Sequence, residues 1–360
     1  MRLPKPNKIV AEKYTTGLSQ FKDKVAKIKL SANESALGPS PKAIKEYLRL
    51  SKNFKRYPDS EGVNLRKALA KKFKLDPNRI ILGSGSDQIL ELICKAFLKK
   101  GDEVVVPKFS FLIYRLYSQM NGAKILYSKE KNFTVSVDDI LKKVTKKTKI
   151  VFLANPNNPT STYIDKKKLL FLRKRLRSNI LLVVDDAYFE YVKQKDYSSG
   201  LQLFSNFKNV IVTRTFSKIY GLAGLRVGWG YGSKEIINSL NRVKPPFNIN
   251  SPALSAAEAA IKDNAWLNKE IQHVKKWNDK FYKEFKKLNI ETNKSFTNFL
   301  LINFDKIKKN SSKIFEQLAD AGILVRKMNT YNIKNSLRVT IGKNDENKKL
   351  ILKLKKAINV

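Results

Sequence analysis

The sequence predicts an α/β fold, with a large domain whose mostly parallel sheet is sandwiched by helices and a small α+β domain beside it. Three observations predict it. From about residue 60 to 232, runs rich in Ile and Val, apolar on both sides, alternate with helical patterns, as in a parallel sheet covered on both faces. After "NRVKPPFNINSP" the texture changes to polar-faced helix and then to three short β runs. The length of 360 residues, with 42% hydrophobic and 29% charged residues, suits a globular chain of two units. The expected division is an N-terminal segment, 1–40, packing with the small domain, a large domain, 41–252, and a small domain, 253–360.

The first 35 residues read as loop. "NRIILG" then reads as a strand, "SDQILELICKAFLKK" as a helix, "DEVVVP" as a strand, "FLIYRLYSQMNG" as a helix and "AKILYS" as a strand. "KIVFLAN", "NILLVVDD" and "NVIVTRT" are further buried β runs, and "LRVGWGYG" is one more strand returning soon after the last of them. Residues 253–288 read as one long helix, and "NFLLINF", "GILVRKM" and "SLRVTIG" as a small sheet with helices. No internal repeat or low-complexity linker interrupts this order.

The single cysteine, Cys94, excludes an intrachain disulfide framework and a Cys-rich zinc site; its helical spacing with Leu90, Ile93 and Phe97 puts it in the core. The opening "MRLPKPNKIV" has no apolar stretch of a secretory signal, and runs such as "ILLVV" are too short to cross a bilayer. A soluble, cytoplasmic protein without membrane partners is expected. The net charge of +41 raises nucleic-acid binding directly, with basic clusters "KKVTKKTK" and "RKRLR". Yet lysine is spread over nearly the whole chain, with no arginine-rich arm, zinc knuckle or aromatic RNA-binding strand, so no specific nucleic-acid partner is expected.

In open α/β sheets ligands bind beyond the carboxyl ends of strands, and four unusual segments lie there. "GSGSDQ" ends a strand and opens a helix; its small residues let backbone N–H groups approach an anion, although a plain strand–helix turn has the same composition. In "ANPNNPT" two prolines stiffen a loop from which Asn158 can offer an amide, or the stretch is an ordinary Asn/Pro turn. "VVDDAYFEY" sets two carboxylates at the end of a buried strand, where Asp185 needs a cation, either a protonated ligand nitrogen or an arginine. "TRTFSK" brings Thr215, Ser217 and Lys218, with Arg226 beyond. An acid for a pyridinium nitrogen, an amide and a phenol for a ring oxygen, a lysine for an aldehyde, and hydroxyls, an arginine and a helix N-terminus for a phosphate together describe a site for pyridoxal 5'-phosphate. The lone histidine, His273, lies far from these motifs and reads as a surface or helix-packing residue, so a proton shuttle other than histidine is required.

The order "NNPT…DDAY…SK…GLRVGW" resembles the fold-type I, class I/II aminotransferases. With "YTTG", "SANESALGPSP", "RYPD" and "LRVTIG", residues 10–345 are similar to the histidinol-phosphate aminotransferases among them. The resemblance implies a pyridoxal-phosphate-dependent transferase fold and transamination between histidinol phosphate and 2-oxoglutarate in histidine biosynthesis. An enzyme for aromatic or other phospho-amino acids in the same fold is the alternative, and a basic nucleic-acid-binding protein a remote one. It implies Lys218 as the Schiff-base lysine and proton shuttle, Asp185 on the pyridine nitrogen, Tyr188 and Asn158 on the ring oxygen, and Phe111 on the ring face. Thr215, Ser217 and Arg226, with backbone groups of Ser86 and Asp87, would hold the phosphate. Arg338 would grip a substrate carboxylate, with Arg326, Tyr14 and Tyr57 as further substrate contacts. Tyr57 would reach the neighbouring site of a homodimer, or else "RYPD" is a local turn; Arg326 is otherwise a solvated strand-end residue. No metal is implied. One departure stands out: Ser161 occupies the place of a family glycine, and a positive φ there would cost on the order of 1 kcal/mol.

Overall fold

The apolar runs of the middle of the chain become one seven-stranded sheet. The structure, a computed structural model, describes residues 14–22, 24–50, 52 and 55–359. The strands are β1 (Ile80–Gly83), β2 (Glu103–Pro107), β3 (Lys124–Ser128), β4 (Thr148–Ala154), β5 (Leu181–Asp185), β6 (Val210–Thr215) and β7 (Gly228–Tyr231). Their spatial order is β1-β7-β6-β5-β4-β2-β3, and only β7 runs against its neighbours. The alternation along β5 shows why every position is apolar: Leu182 and Val184 belong to one core, Leu181 and Val183 to another on the opposite face. The helices Gly85–Phe97, Leu112–Met120 and Lys234–Val243 cover one face. Helices Val63–Phe73, Lys166–Arg175 and Ser251–Lys262 cover the other. Cys94 is fully buried among Leu90, Ile93 and their neighbours, as expected.

The register fixes the site. Asp185 pairs with Ala154 on one side and Thr213 on the other, so β4, β5 and β6 end on one edge. Because β7 is reversed, its first residue, Gly228, lies at that same edge, opposite both Thr215 and Gly83.

The expected single helix over 253–288 is two, Ser251–Lys262 and Asn264–Lys287. Asp263 breaks it: its backbone leaves the helical region (φ −90°, ψ 76°), and its carboxylate accepts from the N–H of Trp266, capping the second helix. The break re-aims the chain, so Ala256 and Ala260 face the large sheet while Trp277, Phe281 and Phe285 join a third core. That core packs under an antiparallel sheet of β8 (Glu291–Thr292), β9 (Phe299–Asn303), β10 (Arg326–Lys327) and β11 (Ser336–Thr340), in the order β8-β9-β11-β10. The first part of "GILVRKM", Ile323–Leu324, instead pairs in parallel with Ile28–Lys29. Thr340 donates to the carbonyl of Leu30, which ties residues 28–30 to this sheet. Residues 1–13, including the expected absence of a signal in "MRLPKPNKIV", lie outside the described residues. His273 is half-buried on the second helix and its Nε2 lies 2.9 Å from the carbonyl oxygen of Gly342, a helix-packing role. Among the described residues no helix is long and apolar enough to cross a membrane, and no cluster of metal-ligating side chains occurs.

Candidate active site

A cavity of about 380 Å³ opens where β4, β5 and β6 end, between the large sheet, residues 14–34 and the C-terminal sheet. Every cofactor- or substrate-site candidate named from the sequence lines it except Tyr57.

Asp185 ends β5 with its carboxylate buried. It accepts from the Tyr114 hydroxyl at 2.7 Å and from the Ala187 N–H at 3.2 Å. Burial pushes its pKa up to about 6, against the pull of those donors. The adjacent carboxylate has a different setting. Asp186 takes the buried guanidinium of Arg214 at 3.6 Å and the N–H of Gly200 at 2.8 Å. Thus the strand-end arginine belongs to Asp186, and Asp185, facing the cavity, has no cationic partner among the described residues.

Lys218 reaches the cavity from the turn after β6, its Nζ donating to the carbonyl of Ala32 at 3.2 Å. Burial and the nearby Arg338 lower its pKa to about 8, so a minor but usable fraction, roughly a tenth to a fifth, is neutral near physiological pH. A neutral amine is the form that attacks an aldehyde and takes up a proton.

The anion end is built from backbone. Gly85, at φ 78°, starts its helix under the guanidinium of Arg226, which an added Cβ would approach to 2.3 Å. The N-cap residue Ser84 makes no side-chain capping bond, leaving the first turn open to the cavity. Arg226 donates to Ser217 Oγ at 3.2 Å and to the carbonyl of Ala223 at 3.1 Å, and its other nitrogen lies 3.3 Å from Asp87 Oδ2. Thr215 Oγ1 accepts the N–H of Ser217 at 3.1 Å, which orders the turn carrying Lys218.

Arg338 comes from β11. It donates to Asn158 Oδ1 at 2.6 Å and to the carbonyl of Ser31 at 3.0 Å, while its buried Nε has no partner. Asn158 therefore bridges from the stiff loop after β4 to the arginine, with its amide nitrogen left for the cavity. Tyr188 is buried and accepts from the Asn33 side chain at 2.9 Å. Phe111 meets Tyr114 edge-on at 5.7 Å and presents an aromatic wall.

Arg326 lines the cavity and is buried, which excludes a solvated strand-end residue. Its guanidinium is engaged by the carbonyls of Thr15 and Thr16, so it anchors the segment that carries Tyr14 to the cavity wall. Tyr57 lies elsewhere in the same chain, 82% exposed and stacked on Phe247 at 4.6 Å, beside a separate hollow.

Sequence reasoning missed three contributors. Tyr114 stands one helical turn after Phe111, and this spacing could have flagged it as sharing the cavity face. Asn33 and the Ala32 carbonyl lie in "SANES", and only the tertiary fold reveals that this stretch meets Tyr188 and Lys218, 155 and 186 residues away along the chain.

Residues 25–354 match the family described as Aminotransferase class I and II. The chain is 52% identical to a histidinol-phosphate aminotransferase of Pelagibacter ubique (strain HTCC1062), over 100% of both chains. It is 41% identical to one of Rhodopseudomonas palustris (strain BisA53), covering 98% of this chain and 97% of that one. Among solved structures it superposes on the histidinol-phosphate aminotransferase of Sinorhizobium meliloti in complex with pyridoxal-5'-phosphate, with a TM-score of 0.87 at 24% identity, covering 93% and 92% of the two chains. The chain belongs to the class I and II aminotransferases.

Proposed function

We propose that this aminotransferase uses pyridoxal 5'-phosphate to move the amino group of histidinol phosphate to 2-oxoglutarate, as a homodimer. The observation that carries the cofactor is the pairing in one cavity of Lys218, held partly neutral, with Asp185, the one of two neighbouring buried carboxylates to which no arginine is committed. The substrate rests on the names of relatives at 52% and 41% identity and on the supply of arginine and tyrosine donors at the cavity.

The cofactor, when bound, supplies an electron sink for the charge left at the substrate Cα. Asp185 would hold a protonated ring nitrogen at its carboxylate. Asn158 and Tyr188 would offer donors to a ring oxygen, and Phe111 would cover a ring face. Ser86, Asp87, Thr215, Ser217 and Arg226 would hold the phosphate through backbone N–H groups, hydroxyls and the guanidinium. The amine of Lys218 would carry the proton to and from Cα. Arg338 has a free, buried Nε for an anion, and a planar fork suits carboxylate and phosphate alike. Histidinol phosphate has a phosphate ester arm where glutamate has its α-carboxylate, so the site must accept each in turn. Tyr14 and a partner copy's Tyr57 would bond that phosphate.

Borohydride reduction should fix the cofactor on the peptide containing Lys218, and attachment at another lysine would refute the role. Removing the substrate phosphate leaves charged donors unpaired, at about 1.5–3 kcal/mol for each bond lost. Thus kcat/KM for histidinol should fall at least tenfold below that for histidinol phosphate. Equal values would move the chain to aminotransferases of general aromatic substrates.

A further inference from the structure

Resting on the reading of the cavity as a pyridoxal-phosphate site, we propose that Asp87 is a positioning residue: it serves as a stand-in anion on Arg226 that the cofactor phosphate must displace, and so limits how tightly that phosphate is held. The geometry is specific. The Arg226 nitrogen that lies 3.3 Å from Asp87 Oδ2 is the one lying over Gly85, where an added Cβ would come within 2.3 Å. The guanidinium's other arm is fixed by Ser217 and the carbonyl of Ala223. The arm shared with Asp87 is therefore the one turned toward the open first turn of the helix, where an anion would bind. Asp87 is the only acidic residue in that turn.

Two effects follow, and both set Asp87 against a phosphate. The carboxylate occupies the donor that the phosphate needs, and it adds a like charge at the same helix N-terminus. The pair is about two-fifths exposed on each side, so holding it is worth a small factor, and an incoming dianion can break it. What Asp87 supplies in return is order. Arg226 sits at φ 55°, a left-handed backbone, and its contact with Asp87 keeps its side chain over Gly85. The cavity's other cations are held elsewhere: Lys218 on Ala32, Arg338 on Asn158 and Ser31, Arg326 on the carbonyls of Thr15 and Thr16, and Lys29 on Glu34.

The test compares cofactor-free wild type, Asp87→Asn and Asp87→Glu by calorimetric titration with inorganic phosphate and with pyridoxal phosphate, and by thermal unfolding. Asp87→Asn should bind inorganic phosphate tighter than wild type by up to about fivefold, the scale of one half-exposed ion pair. Its Tm should be no higher than wild type without phosphate and should rise more with it. Asp87→Glu, which keeps the charge, should stay close to wild type; a merely structural role predicts no gain in affinity for either variant. Asp87→Ser replaces the Asn variant if that one does not fold. Equal or weaker phosphate binding by the neutral variant overturns the inference while leaving the cofactor reading intact. Failure of the wild type to bind either probe overturns both.

Discussion

Ser161 follows Thr160 after the run of asparagines and prolines at 155–159 and adopts φ 59°, the left-handed region that favours glycine. It is buried, and its hydroxyl has no partner. Both terms disfavour serine, so Ser161→Gly should raise the unfolding free energy by about 1–2 kcal/mol in urea titrations. A loss would mean that the loop relaxes without its Cβ. Asp185 makes a prediction of opposite character. Its folded pKa, about 6, is above the unfolded value, so its contribution to the cofactor-free protein is fully present below about pH 4 and is lost as the pH rises through 6. The loss amounts to about 3 kcal/mol at most. Relative to wild type, cofactor-free Asp185→Asn should therefore gain stability between pH 4 and pH 7 while losing affinity for the cofactor. A difference between the two proteins that does not change with pH would show that Asp185 is not strained by burial.

At the scale of elements, the cavity depends on how β7 meets the helix that starts at Gly85. An added Cβ at Gly228 would lie 2.1 Å from the backbone nitrogen of Ser86 and 2.4 Å from the carbonyl carbon of Gly85. No side-chain rotation relieves a clash with backbone, so Gly228→Ala must push the helix N-terminus off the strand. The expected outcome is a loss of about 2–3 kcal/mol of stability with a drop in phosphate affinity. Gly224, with open space around its position, is the control, and Gly224→Ala should leave phosphate affinity unchanged. The strands around this junction were legible because Ile and Val runs fully buried on both faces leave few alternatives, and the strand-end segments were legible because glycines, prolines and paired carboxylates break that texture. The break at Asp263 was not, since aspartate is tolerated within a helix and only its cap on Trp266 marks the boundary. Nor was the engagement of Arg326: pattern alone assigns it to the cavity wall, but the carbonyls of Thr15 and Thr16 that hold its guanidinium are more than 300 residues away along the chain. The bond of Tyr114 was hidden for the same reason, its acceptor Asp185 lying 71 residues on, although its spacing from Phe111 signals the shared face.

For the whole molecule, the exposed Tyr57 and the net charge pull in different directions. An aromatic ring 82% exposed beside the half-exposed Phe247 gains by being covered, and a two-fold pairing would carry it to the site of a second copy. Two chains of charge +41 repel one another over long distances, however. Salt screens that repulsion over about 8–10 Å near physiological ionic strength, while apolar contact is little affected. The dissociation constant of the proposed dimer should thus fall as salt rises from low to moderate concentration, measured by sedimentation or light scattering. A dimer that weakens with salt would point to an interface of ion pairs instead. Subunit mixing then tests what the dimer is for. Lys218→Ala removes the amine from its own site but still presents Tyr57; Tyr57→Phe keeps the amine and lacks the hydroxyl to give away. In a mixed dimer, one site combines the intact Lys218 of one copy with the intact Tyr57 of the other. Equal mixing after dissociation and reassociation should restore about a quarter of the sites to wild-type turnover of histidinol phosphate, above the mean of the two parent variants. Activity equal to that mean would show that Tyr57 serves its own chain or none, and would leave its stacking on Phe247 as its whole role.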